Sequence, residues 1–211
     1  MLKIGITGQQ GFIGTHLYNT IGLKPDEFEI IEFERSYFTN ENLLDSFVSK
    51  CNVIVHLAAM NRHENPKVIY NTNISLVKNL IASLERTQSK PHILLASSSQ
   101  EEKDNLYGKS KREGRELLAD WASKVGATFT GLLIPNVFGP FGKPFYNSVV
   151  ATFSHQIANG ETPIIQVDGE LKLIYVLELV EEIINKIQNG KHERVYKVSH
   201  TKVAKVSEIL V

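Results

Sequence analysis

Only one cysteine, Cys51, occurs in the chain, so no internal disulfide can form and a reducing compartment is expected. Neither sign of charge dominates, since Lys plus Arg and Asp plus Glu each number 23. That balance excludes the one-sided basic field of a nucleic-acid binder. No run approaches the roughly 18 apolar residues of a membrane span, so no membrane partner is expected. The start, MLKIGITG, has no charged segment followed by an apolar one. A leader peptide is therefore not expected, and a cytoplasmic location is. No Cys/His cluster has metal-ligand spacing, so no metal is expected. There is no internal repeat and no low-complexity tract.

What is present is alternation. LKIGIT, FEIIEF, NVIVHLAA, PHILLASSS and TFTGLLIPNVFG read as strands, and apolar residues at helical spacing fill the segments between them. The strands are rich in Ile, Val and Leu, as strands buried on both faces are. The expected fold class is α/β: a Rossmann-like, doubly wound parallel sheet with a small C-terminal substrate-binding lobe. Residues 1–140 are expected to form the dinucleotide-binding core, and 141–211 the lobe, interleaved with that core in one compact unit. Within the lobe, YNSVVATFSHQIANGE reads as a helix, PIIQV and LKLIYV as short strands, and VLELVEEIINKIQNG as a helix. The end, VSEILV, reads as a helix without its finish. A further C-terminal part is therefore expected.

Glycines 8, 11 and 14 follow the first strand and open the first helix, the setting a dinucleotide fingerprint requires. Gly8 permits the tight turn. Gly11 clears the approach of a pyrophosphate, and Gly14 lets the helix pack closely. The unpaired amides of that first turn, which includes Phe12 and Ile13, suit a phosphate. Beyond the second strand, IIEFERS offers both an acid and a base for the cofactor's ribose. Glu34 would bind a free 2′-hydroxyl and favour NAD, whereas Arg35 would pair with a 2′-phosphate and favour NADP. The reading leans to Arg35 and NADPH, with NADH the alternative.

Tyr107 and Lys111 stand four apart at the start of a helix and share a face. A nearby ammonium favours the phenolate, so the tyrosine is expected to be acidified. Upstream, Ser97, Ser98 and Ser99 end a sheet strand, the edge where such sheets bind ligands. A serine there can donate to a carbonyl oxygen as charge develops on it. Ser98 is the first choice and Ser99 the second. The catalytic set is then Ser98, Tyr107 and Lys111. His56 and Trp121 fit core positions. Arg62 faces the same crevice, and the irregular loop PNVFGPFGKP adds Lys143, with Asn147 just beyond it, as candidate substrate contacts.

The glycine loop, the serine-rich strand end and Y-x-x-x-K together resemble the short-chain dehydrogenase/reductase superfamily. The 3+3 glycine spacing, YGKSK and VIVHLAA point to its extended branch. On that resemblance Leu57, Ala58 and Ala59 would touch the cofactor. HLAAMNR, SSSQ, DNLYGKSK and PNVFGPFGKPFYNSVVATF further resemble the reductase half of the CapF family of bifunctional capsular polysaccharide enzymes. The resemblance implies NADPH-dependent reduction of a 4-keto nucleotide sugar of the UDP-2-acetamido-2,6-dideoxy-hexos-4-ulose type. It implies Asn136 near the sugar nucleotide's phosphates and a homodimer formed through the two long helices, 67–86 and 105–124. Two positions depart from the family: Leu133 stands where it carries arginine, and Glu34 where it is less acidic. The alternatives are an NAD-dependent epimerase of the same superfamily and a non-catalytic dinucleotide sensor.

Overall fold

The computed structural model describes residues 1–210; Val211, the end of the expected lobe, lies outside them. Six parallel strands form the main sheet: β1 (Leu2–Thr7), β2 (Phe28–Ile31), β3 (Val53–His56), β4 (His92–Ser98), β5 (Phe129–Ile134) and β8 (Glu193–Lys197). Their spatial order is β2-β1-β3-β4-β5-β8. Strand order reverses between β1 and β3, and ligands of open α/β sheets bind outside the strand ends at such a point.

Alternation along the strands sorts side chains to the two faces of the sheet. Val53 and Val55 point to one face, where α1 (Phe12–Gly22) and α6 (Val176–Asn189) supply Leu17, Ile21, Leu179, Ile183 and Ile187. Ile54 points to the other, where α2 (Glu41–Val48), α3 (Pro66–Thr87) and α4 (Leu106–Val125) supply Phe47, Leu80, Leu84, Leu118 and Trp121. Each fully buried Leu, Ile or Phe contributes about 1.5–3 kcal/mol. Asparagine side chains cap three helix starts, Asn40, Asn65 and Asn105, and Pro66 opens α3. Each cap is worth about 1 kcal/mol. Cys51 is buried before β3, and that burial pushes its thiol up to about 12.

A second sheet joins β6 (Asn136–Phe138), β7 (Glu170–Tyr175) and β9 (Lys202–Lys205) in the order β6-β7-β9. The helix expected around residues 146–161 is α5 (Val149–Ala158). Three local expectations are corrected. PIIQV forms no strand, because no neighbouring strand pairs with it, and Ile164 and Val167 stay 78% and 77% exposed. FEIIEF stops being a strand at Ile31, and Arg35–Thr39 turn into a 3₁₀ helix. Of VSEILV, the described residues 206–210 form a short 3₁₀ turn, Ser207–Ile209, in place of a helix start.

Candidate active site

The crevice begins at the glycine loop. Gly8 sits at φ +78°, the left-handed region that favours glycine, and a Cβ there would come within 2.8 Å of the Ala58 amide nitrogen. A Cβ on Gly14 would strike the Gly8 carbonyl and the Gln9 backbone, so its role is to close the helix's first turn onto the loop. Helix α1 starts at Phe12, and no side chain caps its leading amides. These free donors and the cradle around Gly8 fit a pyrophosphate. Leu57, Ala58 and Ala59 continue from β3 alongside: the Leu57 amide donates to Thr7 O at 3.0 Å, and that of Ala58 to Thr7 Oγ1 at 3.4 Å.

At the ribose end the geometry departs from strand alternation. Arg35 and Glu34 are both exposed and lie past the strand, Glu34 accepting a hydrogen bond from Ser36 Oγ at 3.3 Å. The acid next to the strand end is Glu32, which accepts from Tyr18 Oη at 2.6 Å and from Gln9 Nε2 of the glycine loop at 3.4 Å. The sequence reading passed over Glu32 because it took the strand two residues too far.

Ser98 ends β4 and caps the turn that follows, accepting from the Gln100 amide at 3.2 Å. Asn105 Oδ1 caps α4 by accepting from the Gly108 amide at 2.7 Å, one residue after Tyr107. Gly108 has no room for a Cβ, which would overlap the Gln100 carbonyl. The first turn of α4 thus presses on the turn after Ser98. In this arrangement burial raises the Tyr107 phenol above 10, the Ser98 hydroxyl partly counters it, and the nearby Tyr146 adds to the rise. Ser99 is exposed, and Ser97 is buried and donates to the Glu101 carboxylate.

The expected acidification of Tyr107 is therefore corrected. Lys111 is not among the groups that shift the phenol. It is buried, and desolvation lowers its own ammonium to about 8, with Glu101 pulling back upward. It lines a small cavity with His56, Asn73 and Ser110. His56 is held through Nδ1 by Thr7 Oγ1 at 2.7 Å, and burial lowers it to about 3, with Lys111 adding to the effect. A phenol that keeps its proton through the neutral range is suited to giving it to a developing alkoxide.

Across the crevice runs the loop after β6. His16 Nε2 donates to Pro140 O at 3.0 Å, and Arg62 Nη1 donates to Phe145 O at 2.7 Å and Tyr146 O at 3.3 Å. Arg62 thus bonds the loop's backbone. Asn136 lies on β6, its Nδ2 donating to Lys172 O at 3.3 Å. Lys143 is exposed and stands 5.3 Å from the Tyr146 ring centroid, and Asn147 is exposed beside them.

Two further polar groups at the site escaped the sequence reading. Asn73 is buried on α3, accepting from the Met60 amide at 2.7 Å and donating to Ser110 Oγ at 3.0 Å and Met60 O at 3.1 Å. Its signal was a polar residue on the apolar stripe of Ile69 and Val77. Glu101, buried at the foot of the Ser98 turn, left no comparable signal. Among the described residues no group of three or more His, Cys, Asp or Glu could hold a metal ion.

The pattern of the NAD dependent epimerase/dehydratase family matches residues 4–199. A Pseudomonas aeruginosa protein named UDP-2-acetamido-2,6-beta-L-arabino-hexul-4-ose reductase is 32% identical over 193 residues, covering 90% of this chain and 50% of that protein. The crystal structure of the capsular polysaccharide assembling protein CapF from Staphylococcus aureus superposes with a TM-score of 0.83 at 35% identity, covering 99% of this chain and 56% of that one. RMD from Pseudomonas aeruginosa, solved with NADPH, matches in fold with a TM-score of 0.88 at 19% identity, covering all of this chain and 80% of that one. The chain spans about half the length of the reductase and of CapF.

Proposed function

The chain belongs to the NAD dependent epimerase/dehydratase family, and on that premise we propose that it is an NADPH-dependent reductase of a 4-keto nucleotide sugar. The observation that carries this reading is Ser98 facing a half-buried, protonated Tyr107 at the strand end, with Lys111 one helical turn on. The reductase named above and CapF support the substrate class, a UDP-2-acetamido-2,6-dideoxy-hexos-4-ulose, and a place in capsular or surface polysaccharide precursor synthesis.

When bound, reduced nicotinamide supplies a hydride to the keto carbon. The glycine loop, the start of α1 and Leu57–Ala59 would hold the dinucleotide, with Arg35 at a 2′-phosphate and Lys111 at the ribose. Ser98 donates to the keto oxygen and polarises it. Tyr107 passes its phenolic proton to that oxygen as negative charge builds there, leaving an alcohol and a phenolate. Water then restores the proton of that phenolate. The sugar nucleotide is assigned to the mouth formed by Asn136, Lys143, Asn147 and the Arg62-held loop, and residues 141–211 to the substrate-binding side. The outer faces of α3 and α4 are assigned to a homodimer, and the location to the cytoplasm; among the described residues no helix is long and apolar enough to cross a membrane.

The test is oxidation of NADPH by the purified chain with a panel of 4-keto UDP-sugars, with NADH in parallel. Turnover of NADPH with the acetamido-dideoxy substrate supports the reading. Preference for NADH would move the ribose contact from Arg35 to Glu32 or Glu34. Tightly bound cofactor with sugar interconversion and no net NADPH consumption would make the protein an epimerase.

A further inference from the structure

Behind the Ser98 turn lies a buried ion pair that the proposed reaction does not itself use. The side chains of Glu101 and Arg115 are only 4% and 10% exposed. Arg115 Nη2 donates to Glu101 Oε2 at 2.8 Å, while Nε lies 3.0 and 3.1 Å from the two carboxylate oxygens. Ser97 Oγ donates to Oε1, and the Arg112 guanidinium donates to the Glu101 backbone carbonyl. Arg115 Nη1 reaches Arg194 O on β8 at 3.3 Å. It crosses β5 over Gly131, where a Cβ would come within 2.7 Å of its side chain. Sheet, helix and turn therefore all meet at one carboxylate. Burying such a pair costs desolvation that its mutual attraction often fails to recover. A contribution to stability alone is thus a weak account of it.

Its position gives a better one. Glu101 sits three residues after Ser98, in the turn whose other side is pressed by Gly108. We propose that Glu101 is a positioning residue: its carboxylate, forked by Arg115 and bonded by Ser97, fixes the turn that presents Ser98 and supplies the negative charge that faces Lys111. This rests on the ketoreductase reading. The surroundings of Lys111 leave few rivals for that charge. From β3 comes His56, which burial keeps neutral. From α3 comes the uncharged Asn73, from β4 Leu95, and from α4 itself Ser110 and Gly114. Tyr107 and Arg115 flank Lys111 on its own helix, one a phenol and the other committed to Glu101. Glu101 is the anion that acts on the lysine.

The experiment compares the parent chain with Glu101→Asp, Glu101→Gln and the double variant Glu101→Gln/Arg115→Met, which leaves no buried guanidinium alone. Lys111 is titrated by NMR on ¹³C-lysine-labelled protein, assigned with Lys111→Arg, and NADPH-dependent turnover is followed against pH. In Glu101→Gln, which removes the anion and keeps the Arg115 cation, the Lys111 transition is expected to fall by about one pH unit, and in the double variant, which removes one charge of each sign, by less. The basic limb of kcat should move down with it, and kcat at neutral pH should drop about tenfold with the KM for NADPH unchanged. Glu101→Asp should keep the parental transition. A folded Glu101→Gln protein with the parental Lys111 transition, or a double variant that melts with the parent and keeps the parental kcat, would overturn the proposal and make the pair purely structural. If the parent turns over no keto-sugar, the ketoreductase reading fails. The NMR titration then still decides whether Glu101 governs Lys111.

Discussion

The two walls of the crevice are held in opposite ways. On one, Ser98, Tyr107 and Lys111 sit at the ends of β4 and α4, and a capped helix start, a close glycine contact and a buried ion pair lock the turn between them. On the other, the loop from Gly139 to Ser148 shows its aromatics to solvent: Phe141 is 89% exposed, and Phe141 and Phe145 both have positive φ. That loop is tied down through its own backbone, by His16 at Pro140, Arg62 at Phe145 and Tyr146, and Thr152 at Phe145. Proton transfer tolerates little displacement. A surface that reads a sugar gains by yielding. Under the proposed function, chemistry falls to the rigid wall and selectivity to the soft one.

The largest effect that would break this division is at Tyr107. Removing only the hydroxyl, Tyr107→Phe, should lower kcat by about 10²–10⁴-fold, with NADPH affinity and melting temperature nearly unchanged. Steady-state kinetics and cofactor fluorescence titration read the two separately. Loss of substrate affinity with kcat intact would move the chemistry elsewhere.

Stability against pH sharpens the same contrast, because the strongly shifted histidines, His56 and His92, lie in the sheet and the loop contributes none. Burial lowers His56 to about 3 and His92 to about 4, the latter also facing His192. Both folded values lie below the unfolded 6.5. The folded state refuses protons that the unfolded chain accepts. Stability is therefore complete above pH 6.5 and drains as pH falls toward those folded values, by about 2 kcal/mol per histidine at pH 5. Lys111, about 8 folded against 10.5 unfolded, adds a rise in stability between those two values. Urea denaturation at pH 5 and pH 7.5 measures the histidine loss. His92→Asn should flatten it by about half. An unchanged pH dependence would mean that neither histidine is desolvated in the fold.

How far these walls could be read from sequence follows from the range of the forces that build them. The glycine loop, the strand alternation around Ile54 and the Tyr107–Lys111 spacing are local patterns, and they were legible. PIIQV carries a good strand composition, yet a strand needs a partner, and composition does not say whether one arrives. ERVYK and KVAK became β8 and β9 for the converse reason: β5 and β7 supplied the neighbour. The Glu101–Arg115 pair spans 14 residues, across a turn and about two and a half helical turns. No i, i+4 pattern announces it. Tyr107 illustrates a different gap. Spacing placed a lysine near it, but the direction of its shift depends on burial, which only the assembled fold sets.

Arg62 tests the soft wall. Arg62→Ala removes the two bonds that hold the loop's carbonyls, at about 1.5 kcal/mol for a charge-assisted contact. The KM for the sugar nucleotide should rise about tenfold, while kcat at saturation and NADPH affinity stay near the parent values. A fall in kcat instead would place Arg62 on the reacting wall.

The smallest effect separates backbone strain from site function. Gln88, at the C-terminus of α3, has φ +54°, and Phe145 in the loop has the same value. A glycine relieves the left-handed conformation at either place by about 0.5–1 kcal/mol. Gln88→Gly should raise the melting temperature by a few degrees and leave kinetics untouched, because nothing at that helix end faces the crevice. Phe145→Gly relieves the same strain. It also discards an aromatic whose ring lies 5.5 Å from that of His155 and loosens the segment Arg62 holds. Stability should change little, and the KM for the sugar nucleotide should rise two- to fivefold, about 0.4–1 kcal/mol. If both variants behave alike, the positive φ in the loop is only a turn, and the soft wall owes its selectivity to other side chains.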